Sequence, residues 1–226
     1  MEKNVTINVN EDTFFSDDDM PGQKIIYGVG ASNRVGEVAK ELGKNILLVT
    51  DSGLSSVGHP QNLKEILEQS NLNVTLFDKS VENPTESSVQ DCVQVAEESK
   101  VDVIVGLGGG SSMDTAKGCN FVLSNGGKMS DYWGVGKAKK PMYPLIAIPT
   151  TAGTGSECQS FALISDDQTH KKMACGDKKA LPRVTILDPE LTLSQPSSVT
   201  ASTGVDALAH ALESAVTKKR NKNSIR

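Results

Sequence analysis

The stretch Val101–Asp114, VDVIVGLGGGSSMD, runs from a buried-type strand through a glycine loop directly into a helix. Gly106, Gly108, Gly109 and Gly110 put four glycines within five positions, more than a tight turn requires. Without side chains they can take positive φ, and phosphate oxygens can approach the backbone closely. The N–H groups that open the following helix lack intrahelical partners and carry partial positive charge, so the segment predicts a pyrophosphate cradle. A ligand-free strand-to-helix turn is the plainer alternative. The spacing departs from G-x-G-x-x-G, because Ser111 stands where the third glycine would be. A second pair, Gly28-Val29-Gly30, has Asn33 in that place and reads as a turn.

Outward from this loop, short apolar runs alternate with amphipathic ones. Lys24–Tyr27, Asn45–Thr50, Val74–Phe77, Val101–Val105 and Leu145–Ile148 are predicted strands, and Ser32–Leu42, Gln61–Gln69, Glu86–Glu98 and Ser112–Ser124 are predicted helices. The continuous apolar run NILLVT suits a strand covered on both faces. This alternation predicts the α/β class: a doubly wound, mainly parallel Rossmann-like sheet with helices on both sides. Between Ser160 and Leu187 the pattern turns hairpin-like, with FALIS and RVTIL on either side of the polar tip Asp166–Lys172. A Pro/Ser/Thr-rich break at Asp188–Ser198 precedes Val199–Val216, where Val205, Leu208, Ala209, Leu212 and Val216 follow a helical period. The predicted organisation is a nucleotide-binding α/β domain over residues 1–195, and over 196–226 the start of a helical unit too short to be a domain. The first 20 residues read as a polar, partly disordered leader.

Bulk properties exclude several classes. A net charge of −5 over 226 residues argues against sequence-independent nucleic-acid binding. The basic run Lys218-Lys219-Arg220-Asn221-Lys222 reads as a solvated helix end. No apolar run approaches the roughly 18 residues needed to span a bilayer. The N-terminal Met1-Glu2-Lys3-Asn4 leads into a polar, acidic stretch, so neither a signal nor a transit peptide is expected. Cys92, Cys119, Cys158 and Cys175 form no Cys-x-x-Cys pair, as expected of reduced thiols in a cytoplasmic protein.

Three further groups carry chemistry. Asp51 ends the NILLVT strand, where an acid can accept both ribose hydroxyls of a dinucleotide and would repel a 2′-phosphate, favouring NAD over NADP. A turn or capping role in Asp51-Ser52-Gly53 is equally open. Pro149–Glu157, PTTAGTGSE, is a second small, hydroxyl-rich loop after a strand, placed to line the same crevice. Asp206 and His210 stand four apart, one turn from each other on a helix face. They could hold Fe(II) or Zn(II) by mixed O/N ligation, or simply hydrogen-bond to each other.

Together, GGSSMDTAK (Gly109–Lys117), PTTAGTGSE and TGVDALAHALES (Thr203–Ser214) resemble the iron-containing, group III alcohol dehydrogenases, in order and at about that family's spacing. The resemblance runs from about residue 20 to the last. It implies a first domain that binds NAD(P) and a second, all-helical domain that holds a catalytic metal. By motif, Asp51 is similar to the ribose-binding acid, and Asn83 in Glu82-Asn83-Pro84-Thr85 to a residue near the adenosine or nicotinamide end. Gly109, Gly110, Ser111, Ser112 and Asp114 match the pyrophosphate loop. Thr150, Thr151 and Thr154 match the loop around the phosphates and nicotinamide, and Lys172 matches a cofactor-facing lysine. Asp206 and His210 match the first two metal ligands. The resemblance implies a small alcohol or aldehyde as substrate, and a homo-oligomer of the longer parent. Polyol dehydrogenase, hydroxyacid-oxoacid transhydrogenase and maleylacetate-type reductase chemistries sit on the same scaffold, as would a non-catalytic nucleotide-binding remnant.

One departure matters. The family completes its metal site with two further histidines downstream, whereas this chain holds three histidines in all. His59 reads as a helix-start residue and His170 as the exposed tip of a hairpin, and neither matches a ligand position. The chain is therefore expected to be a C-terminally truncated fragment, with an incomplete metal site and no activity of its own.

Overall fold

A computed structural model describes residues 10–14 and 22–218; the remainder of the polar leader and the basic tail from Lys219 onward lie outside the described residues. The elements, in chain order, are β1 (Asn10–Phe14), β2 (Gln23–Tyr27), α1 (Val35–Leu42), β3 (Asn45–Val49), α2 (Ser52–Val57), α3 (His59–Gln69), β4 (Asn73–Phe77), α4 (Glu86–Glu98), β5 (Val103–Gly108), α5 (Gly110–Asn125), β6 (Gly134–Val135), β7 (Leu145–Pro149), β8 (Phe161–Ser165), β9 (Lys172–Gly176), β10 (Val184–Leu187) and α6 (Ser197–Val216). The main sheet has the order β1-β2-β10-β7-β5-β3-β4. All its pairings are parallel except that of β1 with β2 at the edge.

Strand alternation divides the core between two faces. Ile46 and Leu48 of β3 and Val103 and Val105 of β5 pack with Val35, Val38, Leu63 and Leu67 of α1 and α3. Leu47, Val49 and Ile104 point the other way, onto Val89 and Val93 of α4 and Ala116 and Cys119 of α5. Each strand must therefore be apolar at successive positions, which is why NILLV reads as a continuous run. The doubly wound, mainly parallel sheet is thus as expected.

Differences from the expectation have physical reasons. FALIS does not pair with RVTIL: β8 pairs antiparallel with β9, in a small sheet completed by β6. Residues 184–187 instead return to the main sheet as β10, between β2 and β7. Val184 and Ile186 fill one face there, and the Thr185 hydroxyl accepts from Gln23 Nε2 at 2.9 Å. Period-two patterning shows which residues share a face but not which strand lies alongside. Residues 10–14 of the expected leader form β1. The helix after the glycine loop starts at Gly110 rather than Ser112, so a glycine lies in its first turn. A short helix, α2, follows Asp51 directly, in a segment too short to show a period.

α6 buries none of its residues, and Val205, Leu208, Leu212 and Val216 are among its exposed apolar side chains. No helix among the described residues is long and apolar enough to cross a membrane.

Candidate functional site

A cleft of about 940 Å³ opens beyond the carboxyl ends of β3, β5 and β7, bordered on its far side by residues 194–203 at the start of α6. Asp51, Gly109, Gly110, Ser111, Ser112, Thr150, Thr151 and Thr154 all line it. In an open α/β sheet this is where ligands lie.

Its floor is the N-terminus of α5. No side chain caps that helix, and its N-cap is Gly109. By contrast, Thr85 caps α4 with a reciprocal Ser88 bond, and Asp51 caps α2 by accepting from Leu54 N at 3.0 Å. Gly108 has φ 141°, a backbone conformation that side chains rarely adopt, and its neighbour Ser112 would crowd any Cβ there. Across the cleft, a Cβ on Gly109 would lie 3.1 Å from Thr151, and one on Gly110 would lie 3.4 Å from Thr154. The glycine and threonine loops meet closely because the first lacks side chains.

The hydroxyl inventory is uneven. Thr150 is tied to Gln195, whose side-chain amide donates to both the carbonyl and the hydroxyl of Thr150. Ser80 and Thr151 line the cleft with buried hydroxyls that have no partner among the described residues, and the hydroxyl of Thr50, next to Asp51 in the chain, is likewise without one. Buried polar groups are normally satisfied, so orphans around an uncapped helix start fit a polar, hydroxyl-rich ligand such as a dinucleotide.

The other predicted residues lie outside the lining. Asn83 is exposed at φ 53°, and its backbone N–H donates to Ser111 Oγ at 3.3 Å, so it buttresses the cradle from outside. Lys172 is exposed at the start of β9. Asp114 is not among the lining residues and accepts from Ser156 Oγ at 3.3 Å. Burial raises its carboxyl to about 6, against the opposing pull of Lys117.

Lys117, quoted in the motif but given no role there, is fully buried. Burial lowers its ammonium to about 8, with Asp114 acting in the opposite sense. The sequence carries no signal of this: Asp114, Thr115 and Asn120 beside it are polar too, so the segment reads as an ordinary amphipathic helix with a solvated lysine. Ser80, Gln195 and the serines of early α6 were also missed, because a cleft formed by distant segments has no spacing to read.

Asp206 and His210 share a face of α6, with Oδ1 and Nε2 3.8 Å apart and both side chains about half exposed. His210 Nδ1 lies 3.2 Å from the Gly153 carbonyl. Donation of Nδ1–H to that carbonyl leaves the Nε2 lone pair beside Asp206, the tautomer a metal needs. The pair thus offers one oxygen and one nitrogen donor, which suits two positions of an iron or zinc shell. Among the described residues no group of three or more His, Cys, Asp or Glu side chains is placed to hold a metal. His59 begins α3, with Nε2 2.7 Å from Ser194 Oγ, and His170 sits exposed at φ 55° in the loop between β8 and β9.

The sequence profile of the iron-containing alcohol dehydrogenases matches residues 22–189. An NAD-dependent methanol dehydrogenase of Bacillus methanolicus is 42% identical over 194 residues, covering 85% of this chain and 51% of that protein. Alcohol dehydrogenase 4 of Schizosaccharomyces pombe is 42% identical over 197 residues, covering 87% of this chain and 47% of its own length. Among solved structures, an alcohol dehydrogenase from Oenococcus oeni superposes with a TM-score of 0.87 at 32% identity, covering 96% of this chain and 56% of that one. The chain spans about half the length of the curated relatives it matches.

Proposed function

Because the chain belongs to the iron-containing alcohol dehydrogenase family, we propose that it forms the dinucleotide-binding half of a metal-dependent dehydrogenase, one that passes a hydride between a small alcohol and NAD. The observation that carries this reading is the bare, uncapped start of α5 on the floor of a cleft whose rim holds Asp51. The backbone N–H groups from Gly110 to Ser112 take the pyrophosphate, with Asn83 propping the loop. Asp51 accepts the ribose hydroxyls and disfavours the 2′-phosphate of NADP. Thr151, Thr154 and the orphaned Ser80 hydroxyl bind along the cofactor; Lys172, exposed outside the lining, is assigned to the cofactor by its motif alone.

Asp206 and His210 would hold the Fe(II) or Zn(II), which when bound supplies Lewis acidity toward the alcohol oxygen. The Gly153 carbonyl orients the His210 ring for that role and ties the threonine loop to α6. Residues 1–195 form the cofactor domain, and 196–226 open the helical unit that carries the metal. With two protein donors, this chain by itself holds metal weakly and does not turn over substrate. Its substrate is an alcohol or aldehyde, and the whole enzyme is a cytoplasmic homo-oligomer.

Calorimetric titration with NAD tests the reading. Saturable binding by the 226-residue chain is expected, with marked weakening in Gly109→Ala, where the added methyl crowds Thr151 and the cradle. Equal affinity in the two proteins would remove the cradle assignment.

A further inference from the structure

Lys117 has no part in the cleft lining, yet it is among the largest fully buried side chains of the described residues. Its ammonium donates to the Ser156 carbonyl at 2.5 Å, to Ser156 Oγ at 3.0 Å and to the Phe161 carbonyl at 3.0 Å. An ammonium has three N–H donors, so all three hold the short turn at Ser156–Cys158 and the first residue of β8. Ser156 passes the constraint on: its N–H donates to Thr154 Oγ1 at 3.3 Å, and its hydroxyl donates to Asp114 at 3.3 Å. Gly110, Asp114 and Lys117 are spaced four and three apart, hence on one face of α5. That face meets the threonine loop from Thr154 at the cleft to Phe161 behind it.

We propose that Lys117 is a positioning residue for the dinucleotide: its charged ammonium fixes the threonine loop against the glycine cradle, and cofactor affinity falls when that proton leaves. The proposal rests on reading the cleft as a dinucleotide site. Packing alone does not call for an ammonium here, since a methionine of similar volume would fill the space without the desolvation cost of a buried charge. The charged and titratable groups facing Lys117 are Asp114 on its own helix and Glu157 and Cys158 on the turn, while Lys172 on β9 acts on Asp114. With Asp114 held near 6 and Cys158 pushed up to about 11, Lys117 at about 8 is the member of this group that changes charge in mildly alkaline solution. The neutral amine keeps two donors, so one of three buried acceptors is then left unserved.

The test is a titration of the 226-residue chain with NADH, followed by cofactor fluorescence from about pH 6.5 to about pH 9.5. Wild type should weaken about tenfold between about pH 7 and about pH 9, since a site that needs the proton loses a decade of affinity per unit above the pKa. Lys117→Met should bind weakly with no such inflection. Lys117→Arg, which stays charged, should also lose the inflection and bind better than Lys117→Met. Ser156→Ala removes one acceptor of the charged form and should move the inflection to lower pH; if Lys117→Met does not fold, this variant and the wild-type profile decide. A flat wild-type profile, or the wild-type inflection persisting in Lys117→Met, overturns the proposal. Absence of NADH binding at neutral pH overturns the cofactor reading and this proposal with it, whereas binding with a flat profile overturns this one alone.

Discussion

The Ser112 hydroxyl donates to Asp51 Oδ2 at 3.2 Å, joining the first turn of α5 to the residue that caps α2. Oδ1 of the same carboxylate holds the Leu54 N–H. Capping and the proposed ribose recognition are therefore not rivals at Asp51. The cap locks the rotamer, and Oδ2 is left beside the cradle, where ribose hydroxyls can replace a single serine bond.

Asp51→Gly should lower NAD affinity and erase discrimination against NADP. Glycine is a tolerable N-cap, so stability should fall by only a few tenths of a kcal/mol. Parallel calorimetric titrations with the two cofactors check this; an unchanged preference for NAD removes the ribose role.

Gly153→Ala should push α6 off the threonine loop, because a methyl at that position runs into the backbone carbonyl of Thr203. Overpacking of this kind costs about 1–3 kcal/mol. The expected signs are faster proteolysis around residues 188–203 and loss of the His210 Nδ1–H hydrogen bond in NMR spectra; wild-type protection would show that the contact is slack.

Asp206→Ala and His210→Ala should each abolish the weak Fe(II) or Zn(II) binding proposed for this chain, since removal of either leaves one donor of the pair. Competition against a chromogenic chelator reads this directly. Metal retained in both variants would place the ion elsewhere.

The raised carboxyl of Asp114 sets a sign for acid stability. A group with a folded-state pKa of about 6, above its ordinary 3.8, contributes stability that is full below 3.8 and lost as pH rises through about 6. Relative to Asp114→Asn, wild type should lose on the order of 2–3 kcal/mol across that window, at about 1.4 kcal/mol per pKa unit. Urea unfolding at stepped pH measures the difference; parallel curves for the two proteins would refute it.

Val205, Leu208, Leu212 and Val216 are 67%, 59%, 59% and 75% exposed. Leaving such side chains in water forgoes roughly 1.5–3 kcal/mol for each of the larger ones, so the 226-residue chain should self-associate. Leu208→Glu with Leu212→Glu should reduce that, as followed by light scattering; a monodisperse wild-type chain would contradict it.

Elements with strong, local patterns were legible in the sequence. β3 and β5 are sandwiched between helices, and their continuous apolar runs say so. The glycine loop announces itself because its close approach to the threonine loop depends on missing side chains. Pairing was not legible: residues 161–165 and 184–187 look alike as alternating segments, yet one joins a peripheral sheet and the other the centre. α2 is short and polar, and only the Asp51 cap marks it. Lys117 escaped because lysine is ordinarily a surface residue, and its burial follows from how completely α5 is enclosed.

The central place of β10 governs how the molecule can be made. Lys24 and Ile146, which flank it in the sheet, are both synthesised before Val184 emerges to lie between them. Until then, β2 on one side and β7 on the other present bare strand edges of the sort that recruit other chains. Closing a contact across so much sequence is slow. The nascent chain should therefore depend on chaperone cover until residues 184–187 arrive, and substitutions that weaken β10 should show first as poor yield during synthesis.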